Sequence, residues 1–240
     1  MAAMRRSFHW WRTVFYLIPA VSLYTIVLGS LSLLSTLVDR RGNLGHKCAR
    51  AWSWVILKTT GVSVEIEGLE RLDRSRSYVF AANHQSIYDI PILFANIPFQ
   101  LRILAKDSLG RIPFLGWHLS RTGHVLVDRS KAGAGVVRKM KRLVDEGHSL
   151  IVFPEGTRST DGRVARFKGG SFVIALQSGL PVVPITVVGS RHVMFRGEVT
   201  VRPGRVRVIV HPPIETEAVP KEAVREFAAT VRDVIAQSAA

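Results

Sequence analysis

From Thr13 to Val38 the chain reads TVFYLIPAVSLYTIVLGSLSLLSTLV, without a single charged side chain. Such a stretch must be buried on every side or leave water altogether. As a straight helix it measures about 39 Å, more than the roughly 30 Å hydrocarbon core of a bilayer. A cleaved secretory signal fits less well, because its apolar region is usually about 7–15 residues and ends at a small-x-small site. Pro19 and Gly29 are positions where the helix can bend. A second aromatic-rich stretch, CARAWSWVILKTTG, begins at Cys48, and Trp10, Trp11, Trp52 and Trp54 sit where an interfacial belt would place them. Arg5, Arg6 and Arg12 precede the uncharged run, and Arg40, Arg41, Lys47 and Arg50 follow it, so charge asymmetry sets no orientation. Two basic flanks fit a helical hairpin dipping into one leaflet at least as well as a single span. Residues 1–60 are expected to anchor the chain to a membrane, and residues 61–240 to fold as an α/β domain.

The charge balance narrows the partner. With 33 Lys and Arg against 18 Asp and Glu, the 240-residue chain carries a formal +15, which calls for something anionic. Nucleic acid, anionic lipid and a phosphorylated substrate all qualify. No helix-turn-helix, zinc-finger or aromatic RNA-binding signature is legible, so nucleic acid is not expected. Cys48 is the sole cysteine, which rules out an internal disulfide and favours a reducing compartment. The eight histidines are scattered, without His-Glu-x-x-His spacing, and neither a metal nor a cofactor is expected.

From Val62 onward the pattern changes. VSVEIEG alternates with period two and reads as an edge or half-buried strand. YVFAA, QLRILA, HVLV, LIVF, VVPITVV and VRVIV are strand candidates, mostly apolar on both faces as in a covered sheet. Val136, Val137, Met140, Leu143 and Val144 fall at helical spacing before a Gly147 stop. Val224, Phe227, Ala228, Val231, Val234 and Ile235 form a later helical stripe. This alternation predicts a mixed, largely parallel sheet flanked by helices.

Four polar or proline-marked islands follow or interrupt these strands: NHQSIYD, GHVLVDR, FPEGTRS and LPVVPITV. In open α/β sheets, ligands bind beyond the carboxyl ends of strands. His84 and Asp89 are five residues apart, hence roughly 140° apart around a regular helix. They can meet only if His84 lies on the turn leading into a helix and Asp89 in its first turn. Ser86 as N-cap and Pro91 near the first turn fit that junction. A loop histidine and a helix-capping aspartate fit the same letters. In FPEGTRS, Gly156 permits close backbone approach and Arg158 offers a planar fork for phosphate, although an ordinary turn with a surface Arg–Glu pair is equally readable. Lys168 precedes two glycines and a helix candidate, GGSFVIALQSG, a natural anion site or simply a helix start. Arg129 and Lys106 end strand candidates, either as ligands or as solvated charges.

Together and in this order, the four islands resemble the glycerophosphate acyltransferase superfamily, most closely the bacterial 1-acylglycerol-3-phosphate acyltransferases, over residues 60–215. The resemblance implies transfer of an acyl chain from acyl-CoA or acyl-acyl-carrier protein to lysophosphatidic acid, giving phosphatidic acid. On that reading His84 is the general base and Asp89 its orienting partner. Arg129, Glu155, Gly156, Thr157 and Arg158 help hold the glycerophosphate, with Lys106 and Lys168 beside them. Pro181 and Pro184 shape the surroundings. The catalytic domain is expected on the cytoplasmic side of the inner membrane, with anionic lipids attracted to the basic surface at ~1 kcal/mol per well-placed cation. Another lyso-lipid acceptor, or a non-catalytic basic membrane-binding protein, are the competing readings. Asp89 and Glu155 argue against the latter, since anion binding gains nothing from carboxylates. A hydrolase lacks its Gly-x-Ser-x-Gly turn.

Overall fold

The computed structural model describes residues 7–39, 41–127 and 134–239. The chain opens with one continuous helix, Phe8–Ser35. It comprises α1 (Phe8–Arg12), a wider π turn (Thr13–Leu17) and α2 (Ile18–Ser35). The π turn lies just ahead of Pro19, which has no N–H to donate and loosens the ladder of the preceding turn. α3 (Asn43–Thr60) returns alongside, bounded by Gly42 and Gly61 at φ 72° and 77°, left-handed positions that glycine adopts without steric cost. The two are antiparallel: Trp52 Nε1 donates to Thr25 Oγ1 at 3.0 Å, and Arg12 Nη2 donates to the Thr60 carbonyl at 2.9 Å. That guanidinium satisfies the C-terminal end of α3.

The α/β portion continues as β1 (Val62–Glu67), β2 (Val79–Ala82), α4 (Asp89–Asn96), β3 (Leu101–Lys106), α5 (Leu115–Arg121), β4 (Val125–Val127), α6 (Ala134–Asp145), β5 (Ser149–Val152), α7 (Val173–Ser178), β6 (Val182–Val188), α8 (Ser190–Val193), β7 (Gly204–Val210) and α9 (Val224–Ala239). The sheet order is β1-β7-β6-β2-β5-β3-β4. Neighbours run parallel except β6 and β7, so five strands share one direction and their carboxyl ends form one edge. β1, with its alternating pattern, lies at the outside; the all-apolar β2 and β5 lie near the centre and are fully buried.

Alternation along the strands divides the core in two. Phe80, Ala82, Ile151 and Ile185 face the hairpin and α4, whereas Val79, Ala81, Leu150 and Val182 face α6, α7 and α9. Gly61 ends α3 ahead of β1, and the buried cluster runs continuously across that turn. Leu17, Ile56 and Leu57 of the hairpin belong to the same buried cluster as Ile92 and Leu93 of α4. Other hairpin side chains turn outward, among them Trp11, Phe15, Leu23, Leu31, Leu34 and Trp54. The helix Phe8–Ser35 is long and apolar enough to cross a membrane.

Candidate active site

β2 ends at Ala82 in the middle of the sheet, and the next residue fixes how the chain leaves it. Asn83 is buried, and its side-chain amide makes both bonds of a strand rung. Nδ2 donates to the Val187 carbonyl at 2.9 Å, and Val187 N–H donates to Oδ1 at 2.7 Å. The β2–β6 ladder is thereby continued by a side chain, and His84 departs from a held position.

His84 is restrained on every side but one. Its N–H donates to Glu155 Oε1 at 2.7 Å, and its carbonyl accepts the Ser159 N–H at 2.7 Å. Its ring stacks on Phe153, with centroids 4.2 Å apart. Nδ1 lies 2.8 Å from Asp89 Oδ2. A carboxylate oxygen only accepts, so Nδ1 carries a proton, and in the neutral ring the lone pair lies on Nε2. The imidazole is 12% exposed, enough for Nε2 to meet a substrate.

Asp89 opens α4 and is completely buried. Besides His84, Oδ2 accepts the N–H groups of Gln85 at 2.7 Å and Ser86 at 2.9 Å, so three donors converge on one oxygen. The carboxylate therefore braces the turn before the helix and the imidazole together, and it does not cap the helix itself, whose N-cap position is Tyr88 without a side-chain bond. Ser86 is not the helix cap expected of it. Its hydroxyl donates to the Met194 carbonyl, and the helix begins three residues later.

The third island, after β5, supplies two kinds of side chain. Glu155 is buried, Oε1 on His84 N–H and Oε2 on Ala165 N–H at 3.0 Å. Burial pushes its pKa up, partly offset by those two donors. Both oxygens are thus turned into the protein. Gly156 sits at φ +75°, a conformation that favours glycine, and its open side lies against the Lys168 side chain, whose Nζ would be 3.0 Å from a Cβ. Thr157 is exposed. Among the described residues the side chains of Lys106, Arg158 and Lys168 have no hydrogen-bond or acidic partner, which leaves their charge available to a ligand. Arg129 lies outside the described residues. Pro184 pairs with Ala81 within the sheet, and the Pro181 carbonyl accepts the Val79 N–H, so both prolines shape β6. Among the described residues no cluster of His, Cys, Asp and Glu is arranged to hold a metal.

Beside the Asp89 turn, Ile87, Tyr88 and Pro91 form one wall of an open apolar groove of about 660 Å³, with Leu17, Val21 and Ile26 of the first helix opposite. Neither the groove nor the Phe153 stack was anticipated from the sequence. Residues distant along the chain form both, and no local pattern announces them.

His84 and Asp89 thus form a histidine–carboxylate pair, and among the described residues no serine hydroxyl or cysteine thiol is bonded to either side chain. Residues 63–188 match the acyltransferase family model. Over 183 residues the chain is 38% identical to a chloroplastic 1-acyl-sn-glycerol-3-phosphate acyltransferase of Brassica napus, covering 74% of this chain and 53% of that one. Over 207 residues it is 34% identical to a 1-acyl-sn-glycerol-3-phosphate acyltransferase of Saccharomyces cerevisiae, covering 84% and 68% respectively. The fold superposes on the crystal structure of PlsC, the 1-acyl-sn-glycerophosphate (LPA) acyltransferase from Thermotoga maritima, with a TM-score of 0.76. There the identity is 26%, and the match covers 92% of this chain and 94% of that one. The chain spans about half the length of the chloroplastic relatives, 53% and 49% of them. It belongs to the acyltransferase family.

Proposed function

We propose that the protein transfers an acyl chain from an acyl thioester to the free hydroxyl of 1-acylglycerol-3-phosphate, giving phosphatidic acid. The observation that carries this reading is the 2.8 Å contact between His84 Nδ1 and Asp89 Oδ2, which places the proton of the neutral ring on Nδ1 and leaves Nε2 as the acceptor. The acceptor hydroxyl gives its proton to Nε2 as its oxygen bonds to the thioester carbon. Asp89 stabilises the imidazolium so formed. The tetrahedral intermediate collapses with loss of the carbon–sulfur bond, and the thiolate takes the proton back from His84. No acyl-enzyme is needed, because the substrate supplies the nucleophile.

Lys106, Arg158 and Lys168, with Arg129, hold the acceptor phosphate in this scheme, and the apolar groove beside Tyr88 takes acyl chain. The hairpin sits in one leaflet with its outward leucines and tryptophans, so that the lipid enters sideways from the membrane. The single cysteine and basic surface favour a cytoplasmic-side placement. Glu155 acts by holding the His84 backbone. The test is thiol release by the full-length protein in detergent, crossing several lyso-lipids with acyl-CoA and acyl-acyl-carrier protein. Preference for a lyso-lipid without a phosphate monoester would overturn the reading.

A further inference from the structure

A second basic feature lies on the other side of the sheet. Phe167 is buried against Phe172, and the extended backbone there turns its neighbours Arg166 and Lys168 the opposite way, toward solvent. Gly169 comes next, and a Cβ on it would touch Val224 Cγ1 at 3.4 Å, so the start of α9 packs closely over it and brings Arg225 alongside. Arg166, Lys168 and Arg225 line a concavity of about 550 Å³. All three side chains are exposed, and none has a hydrogen-bond or acidic partner among the described residues. Lys168 also lines a neighbouring cavity of about 400 Å³, together with Phe153, the residue on which His84 stacks. Through Lys168 the basic groove adjoins the site.

We infer that this groove binds the phosphorylated nucleotide end of a coenzyme-A-type acyl donor, an inference that rests on the acyl-transfer reading above. Unneutralised cations in a concave site suit a ligand with several phosphates. The groove lies on the α7 and α9 face, whereas the apolar groove lies on the hairpin face. The lipid therefore enters from the membrane and the water-soluble donor from solution, and the two meet at Lys168, which lines both this groove and the cavity beside Phe153.

The test begins with coenzyme A binding to the full-length protein in detergent, measured by calorimetry on the wild type and on Arg166→Ala/Arg225→Ala. The double variant should bind coenzyme A roughly tenfold or more weakly, the loss expected for at least one charge-assisted hydrogen bond. Its KM for acyl-CoA should rise in proportion, with KM for lysophosphatidic acid and kcat unchanged. Transfer from an acyl-pantetheine thioester, which lacks the nucleotide, should be indifferent to the substitutions. Unchanged coenzyme A affinity, equal loss with acyl-pantetheine, or a loss confined to acyl-acyl-carrier protein would each overturn the assignment. So would a wild type that does not bind coenzyme A. Binding needs no acceptor, so a wrong acceptor in the proposed function would leave this result standing and show itself only in the lyso-lipid assay.

Discussion

Glu155 reaches His84 through the main chain: the His84 N–H donates to Oε1 at 2.7 Å, while Oε2 accepts the Ala165 N–H. A carboxylate is suited to that position because both of its oxygens accept. In Glu155→Gln one of the two N–H groups would face an amide N–H₂ instead. That buried mismatch costs about 1–3 kcal/mol, so the Tm should fall. Turnover should fall as well, by about tenfold, because a misplacement near 1 Å at the base is costly. KM for lysophosphatidic acid should hold. A rise in that KM with kcat intact would mean that Glu155 touches substrate and that the brace is incidental.

The His84–Asp89 pair makes a sharper demand. His84→Ala should lower turnover by roughly 10²–10⁴, the range for losing a positioned general base. Asp89→Asn should also be severe, since an amide neither fixes the tautomer nor stabilises the imidazolium. The two residues act as a unit, so the double variant should be little worse than His84→Ala alone. If Asp89 only orders its turn, Asp89→Asn would be nearly silent, because the asparagine carbonyl oxygen can accept the same Gln85 and Ser86 N–H groups. Initial rates on variants shown to melt cooperatively in detergent decide between the two.

Asn83 shows where the sequence stops being legible. It opens the first motif, yet its partner Val187 is 104 residues away, and nothing local announces that a side chain continues the ladder. Asn83→Asp sets a carboxylate against the Val187 carbonyl, a buried conflict worth about 1–3 kcal/mol. Both Tm and kcat should drop. An unchanged Tm would mean that the rung is dispensable.

The strands themselves were readable because runs such as LIVF and VVPITVV are apolar on both faces and lie in a covered sheet. The His84–Asp89 encounter was readable only as an alternative, since it depends on a turn the letters do not specify. Ser86 misled because capping preference says nothing of a carbonyl such as that of Met194 arriving from across the fold. How residues 1–60 pack on the rest of the chain was not legible for a similar reason. Amphipathic α3 looks like an anchor in isolation, whereas Ile56 and Leu57 complete the core.

A pH effect arises from histidines the chemistry does not use. His118 Nδ1 contacts Ser32 Oγ of the first helix at 2.6 Å, and burial, with Arg102 nearby, pushes its pKa down to about 4. Burial and Arg102 lower His148 similarly, to about 4; burial, then the neighbouring His118 and Arg102, lowers His124. A depressed histidine pKa means that folding favours the neutral ring. The stability is fully present above the unfolded value near 6.5 and is lost as pH falls through about 4. For His118 the loss is roughly 3 kcal/mol. Tm should therefore decline from about pH 6.5 downward, before ordinary carboxylates titrate. His118→Asn, which keeps a polar atom near the Nδ1 position, should flatten the decline. A Tm constant between pH 7 and pH 5 would exclude the mechanism.

The hairpin can be tested without removing it. Deleting residues 1–60 would strip Ile56 and Leu57 from the core, so a truncated chain would report misfolding and say nothing about the membrane. Leu23 and Leu31 are better targets, because they are 57% and 50% exposed and point away from the domain. Full-length protein should stay with the membrane fraction in 1 M salt, where the screening length shrinks to about 3 Å and attraction of the basic surface to anionic lipid is lost. Leu23→Asp/Leu31→Asp should release it. Each aspartate carries an insertion penalty of up to about 2.5–3.5 kcal/mol at a helix centre. The released protein should keep its Tm in detergent, since neither leucine is part of the core. If the unmodified protein washes off in salt, attachment is electrostatic, and the exposed leucines must be covered by something other than lipid.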